Sequence, residues 1–255
     1  MNELLKICLV VCPLVFLAGF VDSVAGGGGL ISLPAYMLVG LPSHLASGTN
    51  KVVNAFGTMI ASIKYIKSGK VKLVLSLFAA AGALIGSAIG TKIALLIDGD
   101  ILKIIILCAL PVMAVIILTK KNFGLEEQKE SRFGKKAEMA LCTLIGLFIG
   151  CYDGMIGPGT GTLMIIAFTA VIGIDLLTAS GCAKIANLAS NVASAVVWIA
   201  GGKVMWAIVA PAAACSILGN YLGSRFAIKG GAHRVRYVMI VVLALIFIKI
   251  ITDLI

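Results

Sequence analysis

The sequence GFVDSVAGGGG at residues 19–29 places Asp22 four residues ahead of four consecutive glycines, inside an otherwise apolar stretch. The pattern recurs in mid-chain, where GCYDGMIGPGTG at 150–161 carries Asp153 ahead of a second glycine-rich run. Consecutive glycines and a glycine–proline run both interrupt helices. The sequence therefore predicts two apolar helices, each broken shortly after an aspartate.

Further motifs follow each break in the same order, at an offset of 131 to 133 residues. SGTNKVVN at 47–54 matches SGCAKIAN at 180–187, and GKV at 69–71 matches GKV at 202–204. A repeat of this length indicates two related halves. We assign residues 1–119 to a first transmembrane repeat, 120–136 to a cytoplasmic linker and 137–255 to a second transmembrane repeat.

The composition favours a membrane protein over a soluble one. Hydrophobic residues make up 60% of the 255, charged residues only 13%, and the mean hydropathy is +1.11. Soluble domains carry about 25% charged residues. Each half divides into about five apolar segments, which lie near 7–25, 29–41, 45–63, 73–97 and 101–119 in the first half and near 137–156, 160–174, 178–200, 204–224 and 237–255 in the second. We therefore predict an all-α polytopic membrane protein with about 8–10 membrane segments. The second segment of each half is too short to cross a bilayer, which predicts a broken-helix hairpin from segments 1 and 2.

Basic residues predict the orientation of the segments. Fourteen of the 21 Lys and Arg residues lie in three stretches, 64–72, 120–136 and 225–236. Placing these stretches in the cytoplasm follows the positive-inside rule. The turn at 69–71 is then cytoplasmic and its partner at 202–204 is external. The two halves are therefore expected to be inverted repeats, a common plan of secondary transporters.

Two lysines in apolar segments are the strongest candidates for function, because intramembrane charges are costly and usually functional. Lys51 and Lys184 each begin a polar face with amides at helical spacing. An ammonium beside amide donors suits an anion. The helices after the breaks would direct their positive N-terminal ends at the same place. The predicted substrate-binding residues are Lys51, Asn54, Lys184, Asn187, Asn191, Gly28, Gly29, Gly159, Thr160 and Gly161.

Asp22, Asp153 and Asn50 are assigned to orienting the lysines or to coupling protons. An alternative stays open, in which Asp22–Lys51 and Asp153–Lys184 are buried ion pairs with a purely structural role. The halves also differ, since Asn50 corresponds to Ala183, and which half dominates binding is left open. For Gly82, Gly86 and Gly90 we expect close helix packing instead of binding.

Other chemistries find little support in the residues. The seven cysteines form no C-x-x-C pair and have no metal-ligand spacing with the two histidines, so no metal or cofactor is expected. Aromatic residues are sparse, at 7%, and are not interleaved with arginine, which argues against nucleic-acid binding. Trp198 and Trp206 flank the 201–203 turn and fit an interfacial belt.

Four motifs resemble the TauE/SafE family of sulfite exporters and related anion permeases: GFVDSVAGGGGLISLP at 19–34, GTNKVVNAFGT at 48–58, YDGMIGPGTGT at 152–162 and AKIANLASNVAS at 183–194. The resemblance implies a multi-pass permease of the cell membrane, plasma or inner. Its expected substrate is a small anion, either a sulfur oxyanion or an organosulfonate or other organic anion. The expected mechanism is alternating access, with a proton or sodium ion as candidate coupling ion. The oligomeric state is left open, and a membrane-embedded enzyme and an ion channel remain alternatives.

Overall fold

The computed structural model describes residues 3–106, 108 and 133–254, without the side chains of residues 3, 236 and 239–254. Secondary structure in these ranges is entirely helical. The helices are α1 (Glu3–Ala25), α2 (Gly29–Leu38), α3 (Ser43–Lys67), α4 (Leu73–Leu96), α5 (99–106), α6 (Lys135–Met155), α7 (Thr160–Ala167), α8 (Leu176–Ala200) and α9 (Trp206–Leu254). A π-helical turn, Phe168–Ile172, continues α7, and Gly231 breaks α9 with φ 66°.

Five of the described helices are long and apolar enough to cross a membrane: α1, α4, α6, α8 and the Trp206–Val235 part of α9. This confirms the prediction of an all-α polytopic membrane protein. The second helix of each half is short, with 10 residues in α2 and 8 in α7. At about 1.5 Å per residue, α2 reaches about 15 Å, half of a bilayer core. Each break therefore separates a long helix from a short one.

Several predicted boundaries differ from the structure or lie outside it. Most of the predicted fifth segment, 101–119, and most of the linker, 120–136, fall outside the described residues. Helix α6 begins at Lys135, inside the predicted linker. The two predicted final segments, 204–224 and 237–255, are joined in α9, because the chain between them continues as helix apart from Gly231.

The helices pack in a pattern that is preserved when the two halves are exchanged. Helix α4 packs against α6 and α8, while its repeat partner α9 packs against α1 and α3. Helices α3 and α8, which are partners of each other, are in direct contact. The first helix of each half therefore packs on the fourth helix of the other half, so neither half forms a core without its partner.

Glycines in α4 and α9 permit these contacts. A Cβ added at Gly86 would overlap the Leu147 carbonyl of α6, and one added at Gly219 would overlap the Phe16 carbonyl of α1. The two contacts are equivalent in the repeat. Small residues at such spacing let helix backbones approach closely. The packing role expected for Gly82, Gly86 and Gly90 agrees with these contacts.

Helices α3 and α8 run antiparallel. A Cβ at Gly48, near the start of α3, would overlap the Lys203 carbonyl just after the end of α8. Gly181, near the start of α8, meets the Lys70 carbonyl after the end of α3 in the same way. Inverted repeats require this opposed direction of equivalent helices. Inversion across a membrane itself stays a prediction.

A buried aromatic residue from each of these helices enters the core beside the other half. Tyr65 of α3 is buried among residues of α6, α7 and α8, and its repeat partner Trp198 is buried among residues of α1, α2 and α3. The assignment of Trp198 to an interfacial belt is therefore wrong, since its exposed fraction is 0%. Trp206, with an exposed fraction of 60%, is compatible with that assignment.

Candidate functional site

The two helix breaks meet at the centre of the protein. Gly26 and Gly157 each follow an aspartate by four residues and adopt left-handed backbone conformations, with φ of 79° and 91°. A side chain is unfavourable in that region of conformational space. A Cβ at Gly26 would also overlap the backbone of Gly161. Glycine at position 26 is thus required both by its own conformation and by the opposite break.

Hydrogen bonds join the two breaks directly. The Thr162 amide donates to the Gly26 carbonyl at 3.2 Å, and the Thr162 hydroxyl donates to the Ala25 carbonyl at 2.8 Å. In the second break, the Tyr152 hydroxyl donates to the Pro158 carbonyl at 2.7 Å. The breaks leave backbone groups without their helical hydrogen bonds, and the other half supplies some of the missing bonds. Backbone polar groups inside a membrane need such partners, because no water is available in the lipid core.

Two ion pairs surround the breaks, one buried and one partly buried, and each joins opposite halves. Lys51 Nζ lies 2.7 Å from Asp153 Oδ2, and Lys184 Nζ lies 2.7 Å from Asp22 Oδ2. Each lysine is the ninth residue of a 25-residue helix, α3 or α8. The alternative that paired Asp22 with Lys51 and Asp153 with Lys184 is therefore wrong in its partners. Because α3 and α8 are antiparallel neighbours, each lysine lies close to the aspartate in the last turn of the other half's first helix.

Amide and hydroxyl side chains connect α3 and α8 beside the lysines. Asn54 Nδ2 donates to Asn50 Oδ1 at 3.2 Å, and Asn191 Nδ2 lies 3.3 Å from Asn187 Oδ1. Asn191 Nδ2 also lies 3.3 Å from Thr58 Oγ1, across the interface of the halves. The Thr58 hydroxyl donates to the Asn54 carbonyl at 2.6 Å, so the predicted polar faces of the two helices form one hydrogen-bonded network.

A polar cavity lies between the breaks and this network. The space in it open to the centre of a water molecule is about 20 Å³, which holds about one water. It is lined by Asp22, Gly26, Gly29, Asn50, Lys51, Asn54, Asp153, Gly157, Thr160, Gly161, Asn187 and Asn191. Most of the residues predicted for binding or orientation are therefore brought to one place.

Three predicted binding residues lie outside this lining. Lys184 reaches the cavity only through its bond to Asp22. Gly28 and Gly159 precede the first residues of α2 and α7. Gly28 lies against α1, where a Cβ would overlap the Ala18 carbonyl and the Asp22 side chain. Glycine at position 28 therefore allows the start of α2 to pack closely against α1.

Other residues contribute to the site although they were not among the predicted site residues. Gly26 and Gly157 line the cavity, and their equal spacing from the aspartates could have identified them. The Ser190 hydroxyl donates to Asp153 Oδ2. Its repeat partner is Gly57, so a comparison of the halves gave no signal for Ser190.

The site is electrostatically balanced when both pairs are closed. Two ammonium groups face two carboxylates, so the paired set carries no net charge. Within the described part of the chain, no group of three His, Cys, Asp or Glu residues is arranged to hold a metal ion. The charged residues that line the cavity are Asp22, Lys51 and Asp153, and Lys184 adjoins it through its bond to Asp22.

Comparison with known proteins places the chain among membrane transporters. The model of the sulfite exporter TauE/SafE family matches residues 11–250. A probable membrane transporter protein, ORF9, of a Sinorhizobium species is 34% identical over 242 residues, which cover 93% of this chain and 90% of the relative. A probable membrane transporter protein of Haemophilus influenzae is 32% identical over 238 residues, covering 93% and 92%.

A third relative, the probable membrane transporter protein YfcA of Escherichia coli K12, is 31% identical over 237 residues, covering 93% of this chain and 87% of the relative. No solved structure matches the chain significantly. The family match spans nearly the whole chain, including both helix breaks and both lysines. The protein is therefore a multi-pass membrane transporter that belongs to the sulfite exporter TauE/SafE family.

Proposed function

We propose that the protein is a secondary transporter that carries a small anion by alternating access through the polar cavity beside Lys51 and the Lys184–Asp22 pair. One observation carries this proposal: two buried lysines, one from each half, form cross-half ion pairs around a polar cavity. Intramembrane charges that face a cavity mark substrate pathways. The cell membrane, plasma or inner, is the expected location.

The chemistry of the lining favours an anion. The lysines supply positive charge, and the amide groups of Asn54, Asn187 and Asn191 supply neutral donors. The first residues of α2 and α7, Gly29 and Thr160, line the same cavity. Helix N-termini favour negative charge, at about 0.3–1 kcal/mol each on a surface and more where partly buried. The lysines, the amide donors and the helix N-termini all attract a negatively charged substrate.

A sulfur oxyanion or an organosulfonate is the substrate class that we favour. Sulfite and sulfonates carry three oxygens on one sulfur, so several donors can bind one anion at once. The family description names sulfite export, and the resemblance of the four sequence motifs implies the same class. A cavity of about 20 Å³ is smaller than such an anion. Substrate entry therefore requires the breaks or the ion pairs to separate, as in a carrier that opens to one side at a time.

Inverted halves would supply the two openings. The antiparallel course of α3 and α8 and the symmetric packing of α4 and α9 support inversion. The turn at 69–71 would then face the cytoplasm and the turn at 202–204 the exterior. In a cysteine-free background, Lys70→Cys should react with an impermeant maleimide only from the cytoplasmic side and Lys203→Cys only from outside. Labelling of both from the same side would contradict inversion.

Ligand-dependent stabilisation tests the anion site. Sulfite, sulfate, methanesulfonate and acetate are added to purified protein during thermal unfolding. A ligand at 100 times its Kd stabilises the folded state by about 2.7 kcal/mol. We expect at least one sulfur oxyanion to stabilise the wild type and to have no effect on the variant Lys184→Met/Asp22→Leu.

That double variant removes a whole pair, so it leaves no unpaired buried charge and keeps the site balanced. Lys203→Met, which removes an exposed lysine, is the matched control and should keep the full response. Equal stabilisation of the wild type and of the pair-deleted variant would refute the binding site.

A further inference from the structure

The two ion pairs differ, although the repeat makes them equivalent. Asp153 is ion-paired with Lys51 and accepts a hydrogen bond from the Ser190 hydroxyl, and its side chain has an exposed fraction of 3%. Asp22 accepts a side-chain hydrogen bond from Lys184 alone among the described residues, and its side chain has an exposed fraction of 16%. One carboxylate is therefore held by two polar groups and enclosed, while the other is held by one polar group and reached by water.

The difference arises from one position in the repeat. Ser190 corresponds to Gly57, which has no side chain to donate. A Cβ at Gly57 would overlap Ser216 Oγ and the Asn220 amide, so α9 already fills the space. The Asn220 amide nitrogen donates to the Ser216 carbonyl at 2.9 Å instead of to Asp22. No second donor reaches Asp22 within the described part of the chain.

On the basis of the function proposed above, we propose that Asp22 is the carboxyl group that couples proton movement to transport and that Lys184 binds the anion. The cluster of Asp153, Lys51 and Ser190 stays closed. The carboxylate with fewer polar partners and greater access to water leaves its ion pair at the lower cost. The coupling ion of the transporter is then a proton, and it is bound by the first half only.

The surroundings of Asp22 contain few other groups that could take this role. Helix α3 contributes Lys51 and Tyr65, and the Tyr65 hydroxyl donates to the Ser23 carbonyl at 3.0 Å. Helix α6 contributes Asp153 across the cavity. From α9, Ser216 and Asn220 lie against Gly19, one turn before Asp22 on α1, and both are neutral. The described residues of α2 and α7 at the cavity, Gly29, Thr160 and Gly161, are also neutral.

The proposed step balances in charge. A proton from water adds to the Asp22 carboxylate and forms a neutral carboxyl group, which ends its ion pair with Lys184. The Lys184 ammonium then carries one positive charge without a partner, and one anionic charge binds to it. On the other side, the anion leaves, the proton returns to water and the ion pair forms again.

This cycle fixes a stoichiometry of one proton per anion. With a monovalent anion, the site is neutral both when loaded and when empty, which limits the cost of movement in a low-dielectric interior. Methanesulfonate is the suitable probe, because it keeps its single negative charge over the working pH range. Any dependence of its transport on pH then belongs to the protein.

The test measures methanesulfonate in proteoliposomes in two modes. Counterflow, with methanesulfonate on both sides and no pH gradient, reports anion exchange. Net accumulation, in vesicles one pH unit more alkaline inside, reports coupling. One proton per anion predicts about tenfold accumulation in the wild type, because one pH unit corresponds to a tenfold ratio at equilibrium. A membrane potential imposed with valinomycin should not change that ratio.

We expect Asp22→Asn to show counterflow without accumulation, because its amide mimics the neutral carboxyl. Asp153→Asn should still accumulate methanesulfonate in response to the gradient, whatever its rate. If that variant does not fold, Ser190→Ala, which removes only the second donor, serves in its place. Accumulation of about tenfold by Asp22→Asn would overturn the assignment. Wild-type counterflow with no response to the pH gradient would also overturn the proton-coupling role of Asp22, but it would leave the transport function intact. Absence of counterflow in the wild type would overturn the proposed transport function itself.

Discussion

The cross-half pairing of the buried lysines predicts which double substitution restores stability. Lys51→Met leaves the Asp153 carboxylate buried without its cation. Loss of one partner of a buried ion pair costs about 3–5 kcal/mol. For a chain of this size, 1 kcal/mol shifts the melting temperature by about 2–4 °C. The single substitution should therefore lower the Tm by about 10 °C.

Lys51→Met/Asp153→Leu should recover most of that loss, because an apolar pair of similar volume leaves no charge without a partner. The coupling energy from the double-mutant cycle should exceed about 3 kcal/mol, because each single substitution costs about 3–5 kcal/mol and the double substitution costs little. The matched cycle, Lys51→Met with Asp22→Leu, separates two residues that are not ion-paired and should give a smaller coupling. Reversible unfolding in mixed micelles, followed by tryptophan fluorescence, supplies both values. A larger coupling for Lys51 with Asp22 would refute the cross-half arrangement.

Three further predictions concern single residues. Ser190→Ala should lower stability by about 1–3 kcal/mol, because it removes a hydrogen bond to a buried carboxylate, and the same unfolding assay measures this. Trp206→Phe should remove most of the fluorescence that a collisional quencher in the membrane or solvent can reach, because the remaining Trp198 is buried; strong quenching that persists would contradict that burial. Gly86→Ala should destabilise by about 1–3 kcal/mol through overlap with α6, against less than about 1 kcal/mol for Gly134→Ala, whose added Cβ meets nothing within 4 Å.

Much of the fold could be read from the sequence because its strongest signals are local. Glycine runs break helices wherever they occur, so the ends of α1 and α6 were predicted within a residue or two. The long apolar stretches and the internal repeat predicted a polytopic helical protein. Lys51 and Lys184 were identified because a charge in an apolar helix is costly and therefore informative.

The pairing of the charges could not be deduced in this way. The sequence allows each lysine to pair with either aspartate, because pairs within a half and pairs between halves both preserve the symmetry of the repeat. The choice depends on the packing of α1 against α9 and of α3 against α8, which is a property of the assembled fold. Trp198 was misplaced for the same reason, because a residue near a helix end is exposed only if no other helix covers it.

The difference between the two ion pairs could not be found by comparing the halves of the sequence. A repeat is recognised from the positions that agree, and Ser190 opposite Gly57 does not agree. The structure gives that difference a physical meaning, because Ser190 holds one carboxylate and no equivalent group holds the other. Asymmetric positions within an otherwise symmetric site are therefore useful candidates for coupling.

Counterflow of a sulfur oxyanion in proteoliposomes tests the central claim most directly. Vesicles loaded with unlabelled sulfite or methanesulfonate are diluted into the labelled anion, and the transient uptake is recorded. The wild type should show uptake well above that of empty liposomes, Lys203→Met should match it, and Lys184→Met/Asp22→Leu should show none. Uptake by the pair-deleted variant at the wild-type rate would contradict the account, because the anion would then cross without the lysine assigned to bind it.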